Sequence, residues 1–222
     1  VSRKLYPCCY FTHRMIAAGR HLYAQRGGNA VPDGSVIEMT VPKGVMLPLH
    51  IVDPNDGTEA KFCAAYTLSA ALHQGRVGLA DFEDDSPHRP EIRRLMSMVI
   101  IETEPDAGPD RVGVDHGAVH VRLRRGNETL AETSVAAHPG SPADPANPAE
   151  IGEKIADCLE KYRKDGGTPP ATGAFRKELR TRLHLPPLRD PATPDGKSDR
   201  SRNRTPGQGA AAANQAPIER TT

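Results

Sequence analysis

The sequence predicts an α+β fold, a small domain with an antiparallel sheet and packed helices, followed by a disordered carboxy-terminal tail. Three observations lead there. Val119, Val121 and Leu123 alternate with His120, Arg122 and Arg124 ahead of Gly126-Asn127, and a second extended run follows over 129–136, the pattern of a β-hairpin. Helical patterns with capping signals are interspersed with this hairpin and with further extended runs, which favours α+β over a doubly wound sheet. From Pro186 onward Pro, Ala, Gly, Ser, Arg and Asp follow one another without a hydrophobic period, and such a stretch buries too little apolar surface to order itself. The domain is expected over 1–166 and the tail over 167–222, with a short helix at 174–183 inside the tail.

The elements follow in chain order. A helix is predicted over 12–26, with Thr12 as its cap, Met15, Ala18 and Leu22 along one side, and Gly27-Gly28 as its stop. Residues 36–41 alternate as a half-buried strand, Ile37, Met39 and Val41 facing one way, Glu38 and Thr40 the other. After a loop over 48–57, a helix over 59–74 is rich in small residues (Ala60, Ala64, Ala65, Ala70, Ala71), which permits close packing, and it ends at Gly75. Pro90 opens a short helix to Met96, and Val99, Ile100 and Ile101 form a strand covered on at least one face. Beyond the hairpin, Asn147-Pro148-x-Glu150 supplies a cap, a first-turn proline and a capping-box acid. They open a helix whose Ile151, Ile155, Cys158, Leu159 and Tyr162 share one stripe.

Composition excludes several function classes. At 222 residues with 37% hydrophobic content the chain sustains one core and hardly two. Its 29 basic and 28 acidic side chains nearly cancel, so no overall field draws it to nucleic acid, and no apolar run approaches the length of a bilayer. The basic segment 197–204 in the tail reads as solvated. The start at Val1 shows no initiator Met and no signal core, which makes the cytoplasm the expected location. Cys8 and Cys9 are adjacent, Cys63 and Cys158 isolated, and no metal-ligand spacing joins them, so reduced thiols and no metal are expected.

Chemistry concentrates at the beginning. Lys4, Tyr6, Cys8, Cys9, Tyr10, Phe11 and His13 bring a cation, two thiols, three aromatic rings and an imidazole to the front of a helix, in a chain only 4% aromatic. Helix amino termini favour anions, and Lys4 adds a full positive charge for a carboxylate or phosphate. The same residues also suit an arm that packs its aromatics on the domain, and His13 alone suits a hydrogen bond at a helix start. Tyr66 shares a helix face with Phe62, Ser69, Ala70 and His73 and reads either as core or as a hydroxyl awaiting a partner. Asp81, Glu83, Asp84 and Asp85 read as a solvated acidic loop rather than a cation site. No nucleophile elbow, nucleotide-binding glycine pattern or zinc motif is present.

Three segments together carry a resemblance: Lys4-x-Tyr6-Pro7-Cys8-Cys9-x-x-Thr12-His13, then Glu59-Ala60-Lys61-Phe62-Cys63-x-x-Tyr66, then Gly140-x-Pro142 leading to Asn147-Pro148. In their order and spacing, over about residues 1–165, the chain resembles the carboxy-terminal domain of the MmgE/PrpD family, which includes 2-methylcitrate dehydratase, cis-aconitate decarboxylase and iminodisuccinate epimerase. The resemblance implies a two-domain subunit in which a larger helical amino-terminal domain supplies most catalytic groups and this domain closes over the substrate. It also implies a homodimer, no metal or organic cofactor, and a small di- or tricarboxylate as substrate. Lys4 then matches the lysine facing the substrate cleft and Tyr66 the tyrosine of the second motif, both as catalytic residues, with Lys4, Cys9 and His13 on the substrate-binding side. Cys9 stands where decarboxylase-like members carry His, which weakens the decarboxylase reading, and Cys63 replaces the more usual Ser. The expectation is one wall of a hydro-lyase site in a detached domain, inactive without its helical half. An epimerase of the same family and a catalytically silent binding module remain alternatives.

Overall fold

The structure, a computed structural model, describes residues 2–104 and 116–168, together with 173, 177, 178, 181 and 182. A 3-10 turn at Tyr10–Thr12 runs into α1 (His13–Gln25). Thr12 does not act as the expected cap. It already has helical dihedrals, and its hydroxyl donates backward to the Cys9 carbonyl at 2.8 Å instead of accepting from the helix. The other end matches expectation, since Gly27 and Gly28 take φ of 59° and 76°, where a side chain would be strained.

The helix expected over 59–74 is two helices, α2 (Gly57–Ala60) and α3 (Ala64–Gln74), broken at Lys61–Cys63. Two new caps account for the break. Asp56 accepts from the Glu59 amide to start α2, and the Cys63 sulfur accepts from the Tyr66 amide to start α3. Next come α4 (Pro90–Met96) and α5 (Pro148–Lys164), the latter opened by the expected capping box, in which Asn147 accepts from the Ala149 and Glu150 amides and Glu150 accepts from the Asn147 amide.

Strands β1 (Ser35–Val41), β2 (Val99–Thr103), β3 (Val119–Arg125) and β4 (Glu128–Val135) form one sheet in the order β2-β1-β3-β4. The hairpin β3–β4 turns at Gly126, with Arg125 opposite Glu128, and its register shifts between Leu123 and Arg124, leaving Leu130 as the extra residue. The sheet is mixed rather than wholly antiparallel, because β2 pairs with β1 in parallel. The helices between them return the chain across the sheet before β2 begins, as a parallel pair requires. The uninterrupted apolar run Val99–Ile101 was the local sign of this, although β2 lies at the edge and Ile100 is 49% exposed.

Ile37, Met39, Val41, Val119, Val121 and Leu123 point from the sheet onto Met15, Ala18 and Leu22 of α1 and Leu68 and Leu72 of α3, which together form the main core. On the opposite side of the same two helices, Ile16, Tyr66 and Ala70 join Leu5, Tyr6, Cys8, Val77, Phe82 and Ile92 in a second core. The small residues of α3 do permit close approach: a Cβ at Gly19 of α1 would stand 2.6 Å from the Leu68 carbonyl oxygen and 2.7 Å from the Ala71 Cβ. Gly19→Ala is therefore expected to destabilise the domain by about 1–3 kcal/mol through overpacking, read from urea unfolding midpoints. A gain of about 1 kcal/mol, the ordinary benefit of Ala over Gly inside a helix, would show that α1 and α3 cross less tightly.

The chain divides into units at Val1–Pro169 and Pro170–Thr222. In the second, the Thr181 hydroxyl donates to the Lys177 carbonyl and Arg182 pairs with Glu178, each one helical turn apart. The short helix expected at 174–183 otherwise lies outside the described residues, as does the tail from 183 onward.

Candidate functional site

The three motif segments, more than 130 positions apart from first to last, meet at the amino-terminal arm. The Cys9 amide donates to the Lys61 carbonyl at 3.0 Å, joining the first motif to the second. The Arg3 amide donates to the Gly140 carbonyl at 2.7 Å, joining it to the third. From α5 the Lys154 ammonium donates to the Leu5 carbonyl at 3.1 Å. Leu5, Tyr6 and Cys8 are buried by these contacts, while the Lys4 side chain between them is exposed. No described carboxylate forms an ion pair with the Lys4 ammonium.

Beneath Lys4 lies a set of stacked rings. His13 is fully buried at the first turn of α1, edge-on to Tyr6 with ring centres 5.0 Å apart and tilted against Tyr10 at 4.9 Å. Tyr10 in turn stacks on His138 at 4.6 Å with the planes 12° apart. Burial, together with the charges of Lys4, His138 and Lys154, holds the His13 imidazole at a pKa of about 3, so it is neutral at physiological pH. The structure thus places His13 under the surface and not on it, as the alternative of an aromatic arm packed on the domain had it. Cys9 is half-buried against the main core, and burial pushes the neighbouring Cys8 thiol up to about 12, which keeps it protonated and a poor nucleophile. All four cysteines are free.

Tyr66, unlike Lys4, is not exposed. Its side chain is fully buried in the second core beside Phe82, and its hydroxyl donates to the Asp81 carbonyl. Burial raises its pKa to about 12 against the lowering effect of Arg89. The acidic segment divides accordingly. Glu83, Asp84 and Asp85 are exposed, as expected of a solvated loop, but Asp81 is 4% exposed and fully engaged. Its carboxylate accepts from Gln74 at 2.7 Å, from the Gly78 amide at 2.8 Å and from Arg89 at 2.9 Å. Among the described residues no group of three or more His, Cys, Asp and Glu is placed to hold a metal ion.

Several residues that organise the site escaped the sequence reading. Arg14 is fully buried and donates to the Gly117 carbonyl at 2.8 Å and to the His116 carbonyl at 3.1 Å. Its spacing of four and eight from Ala18 and Leu22 put it on the buried stripe, and that spacing was the available signal. His138, Lys154 and Arg89 had no such signal, because their importance arises only from tertiary contact.

A cavity of about 410 Å³ lies between the arm (Leu5, Tyr6, Pro7), residues 76–79 and α5, with Arg20 and Lys154 on its wall. Arg20 donates to the Tyr6 hydroxyl at 2.8 Å. A larger concavity of about 850 Å³ spreads over the outer sheet face, but its Arg122 and Arg124 are both paired with Glu38, so it offers no unpaired arginine charge. The stripe on α5 remains largely outside the core, with Tyr162 53% exposed, and only Ile151 packs against the second cluster.

The structure is thus an α+β domain whose separated motifs converge on one arm that carries an exposed lysine. The model of the MmgE/PrpD C-terminal domain matches residues 6–166, and the chain belongs to that family. The match begins two residues after Lys4. No curated protein matches the chain. No helix among the described residues is long and apolar enough to cross a membrane.

Proposed function

We propose that this domain forms a cationic wall of a cofactor-independent hydro-lyase site, of the 2-methylcitrate dehydratase kind, acting on small di- or tricarboxylates. The observation that carries the reading is Lys4, an exposed ammonium without a carboxylate partner among the described residues, on an arm whose backbone is fixed on both sides. A fixed cation of this kind attracts a substrate carboxylate and stabilises the enediolate that forms when the adjacent C–H proton is removed. Loss of hydroxide from the neighbouring carbon then completes the elimination. The base belongs to a helical domain on the other side of the substrate, and the working enzyme is a homodimer of subunits that each contain both domains.

Tyr66 enters this reading in one of two ways. As a proton or hydrogen-bond donor to substrate, its hydroxyl has to leave the Asp81 carbonyl. As a support, it holds the 79–82 turn against α3 and never meets substrate. Tyr66→Phe in a subunit with both domains, assayed for dehydration of 2-methylcitrate, distinguishes them. The support role gives a fall in kcat/KM of less than about threefold together with a stability loss of about 1–2 kcal/mol from the unpaired carbonyl. A donor role gives a fall of about 100-fold or more at unchanged stability. A complete subunit that neither binds nor turns over 2-methylcitrate or related acids would leave the domain as a silent binding module.

A further inference from the structure

The two neighbours of Lys4, Arg3 and Leu5, are each held through the backbone by a residue from the last third of the domain. On one side the Arg3 amide donates to the Gly140 carbonyl, and on the other the Leu5 carbonyl accepts from the Lys154 ammonium. Gly140 has φ of +86°, and a Cβ there would stand 2.0 Å from the Arg3 carbonyl oxygen, so the arm occupies the space a side chain would need. Lys154 makes this one hydrogen bond and no ion pair with a described carboxylate, although Glu150, Glu153 and Asp157 lie on its own helix. Glu150 is turned to Arg20 and to the Asn147 amide, and Asp157 accepts from the Leu79 amide at 2.8 Å. The Lys154 cation is thereby left to the backbone of the arm.

We propose that Gly140 and Lys154 are positioning residues for Lys4: together they clamp the arm at Arg3 and Leu5, the residues on either side of it, so that its ammonium is presented at one place while it pairs with no described carboxylate. The proposal rests on the reading of Lys4 as a carboxylate-binding residue, and it adds what makes the arm rigid enough to serve as the wall of a site. Pre-organisation matters here because an ammonium on a mobile arm would spend much of its attraction for an anion on being ordered. A clamp built from the third motif also accounts for Gly140-x-Pro142, which contributes no side chain to the ring cluster or to the wall of the cavity.

The test uses four forms of the chain: unchanged, Lys154→Met, Lys154→Arg and Gly140→Ala. Hydrogen exchange of residues 2–8 is followed by mass spectrometry, with the β3–β4 hairpin as internal reference, and 2-methylcitrate binding by calorimetry. Lys154→Met removes the donor and keeps the stem, Lys154→Arg restores a donor, and Gly140→Ala displaces the arm without changing charge. The expected result is exchange of the arm faster by about tenfold or more in Lys154→Met and Gly140→Ala, recovery to within about threefold in Lys154→Arg, and an unchanged hairpin. Affinity for 2-methylcitrate should fall in both loosened variants and return with arginine. Arm exchange unchanged in Lys154→Met and Gly140→Ala overturns the clamp whatever the ligand does. A loosened arm whose affinity for 2-methylcitrate stays that of the unchanged chain also overturns it, since the clamp then positions nothing. Failure of the unchanged chain to bind 2-methylcitrate, with the arm loosened as expected, counts instead against a carboxylate site held by this domain alone, and the clamp stands on the exchange data.

Discussion

Lys4→Ala, in a subunit containing both domains, is expected to lower kcat/KM for the carboxylate substrate by about 100-fold while leaving the melting temperature unchanged. The stability half of this follows from the geometry. The Lys4 side chain is exposed and makes no described ion pair, and the contacts that hold the arm use the backbones of residues 3 and 5 and the buried side chains of Leu5, Tyr6 and Cys8. Removing the ammonium therefore leaves the arm in place. How the loss divides between KM and kcat tells what the charge does. A rise in KM alone means that Lys4 holds a carboxylate equally in substrate and transition state, whereas a fall in kcat means that it answers charge developing during proton removal. Lys4→Arg keeps the charge but replaces a compact ammonium by a planar fork, and is expected to recover binding better than turnover. An effect of Lys4→Ala within about twofold contradicts the assignment.

Acid sensitivity is the second large effect, and it comes from His13. Its pKa in the folded protein is about 3, far below the usual 6.5, chiefly because the ring is buried and further because Lys4, His138 and Lys154 repel a second positive charge. The unfolded chain therefore binds a proton below pH 6.5 that the folded protein refuses. The His13 contribution is complete above that pH and is lost as pH falls toward 3, at up to about 1.4 kcal/mol per pH unit. Between pH 6.5 and 4.5 this amounts to about 2–3 kcal/mol. His13→Phe, which preserves a ring against Tyr6 and Tyr10, is expected to reduce the loss of stability over that interval by a similar amount, measured by urea unfolding at several pH values. An unaltered pH slope in the variant contradicts a buried neutral imidazole.

The elements with strong local signals were legible in the sequence. The Gly126-Asn127 hairpin, the Asn147 capping box, the Pro90 helix and the alternating strand around Ile37, Met39 and Val41 all depend on neighbouring residues, and each formed as the pattern required. What failed depended on distant ones. The parallel partnership of β1 and β2 is set by where three helices return the chain, and the break at Lys61–Cys63 by a thiol cap that has no place among the usual capping residues. The site divides in the same way. Composition pointed to the arm and its cation, but the same Tyr and His residues that suggested binding proved to be the packing under it, and His13 is fully buried. The clamps at Gly140 and Lys154 act across 137 and 149 positions of chain, beyond any local pattern.

The central claim is that Lys4 presents a fixed ammonium to a small carboxylate. Acylation of individual lysines by a mild amine reagent, quantified by mass spectrometry with and without saturating 2-methylcitrate, tests it most directly. Lys43, also exposed and outside the arm, serves as the reference in the same sample. Selective protection of Lys4, with its rate lowered at least about fivefold while that of Lys43 is unaffected, is the predicted result. Equal rates for Lys4 with and without the acid would contradict the account, because an ammonium that binds the carboxylate cannot remain equally free to react.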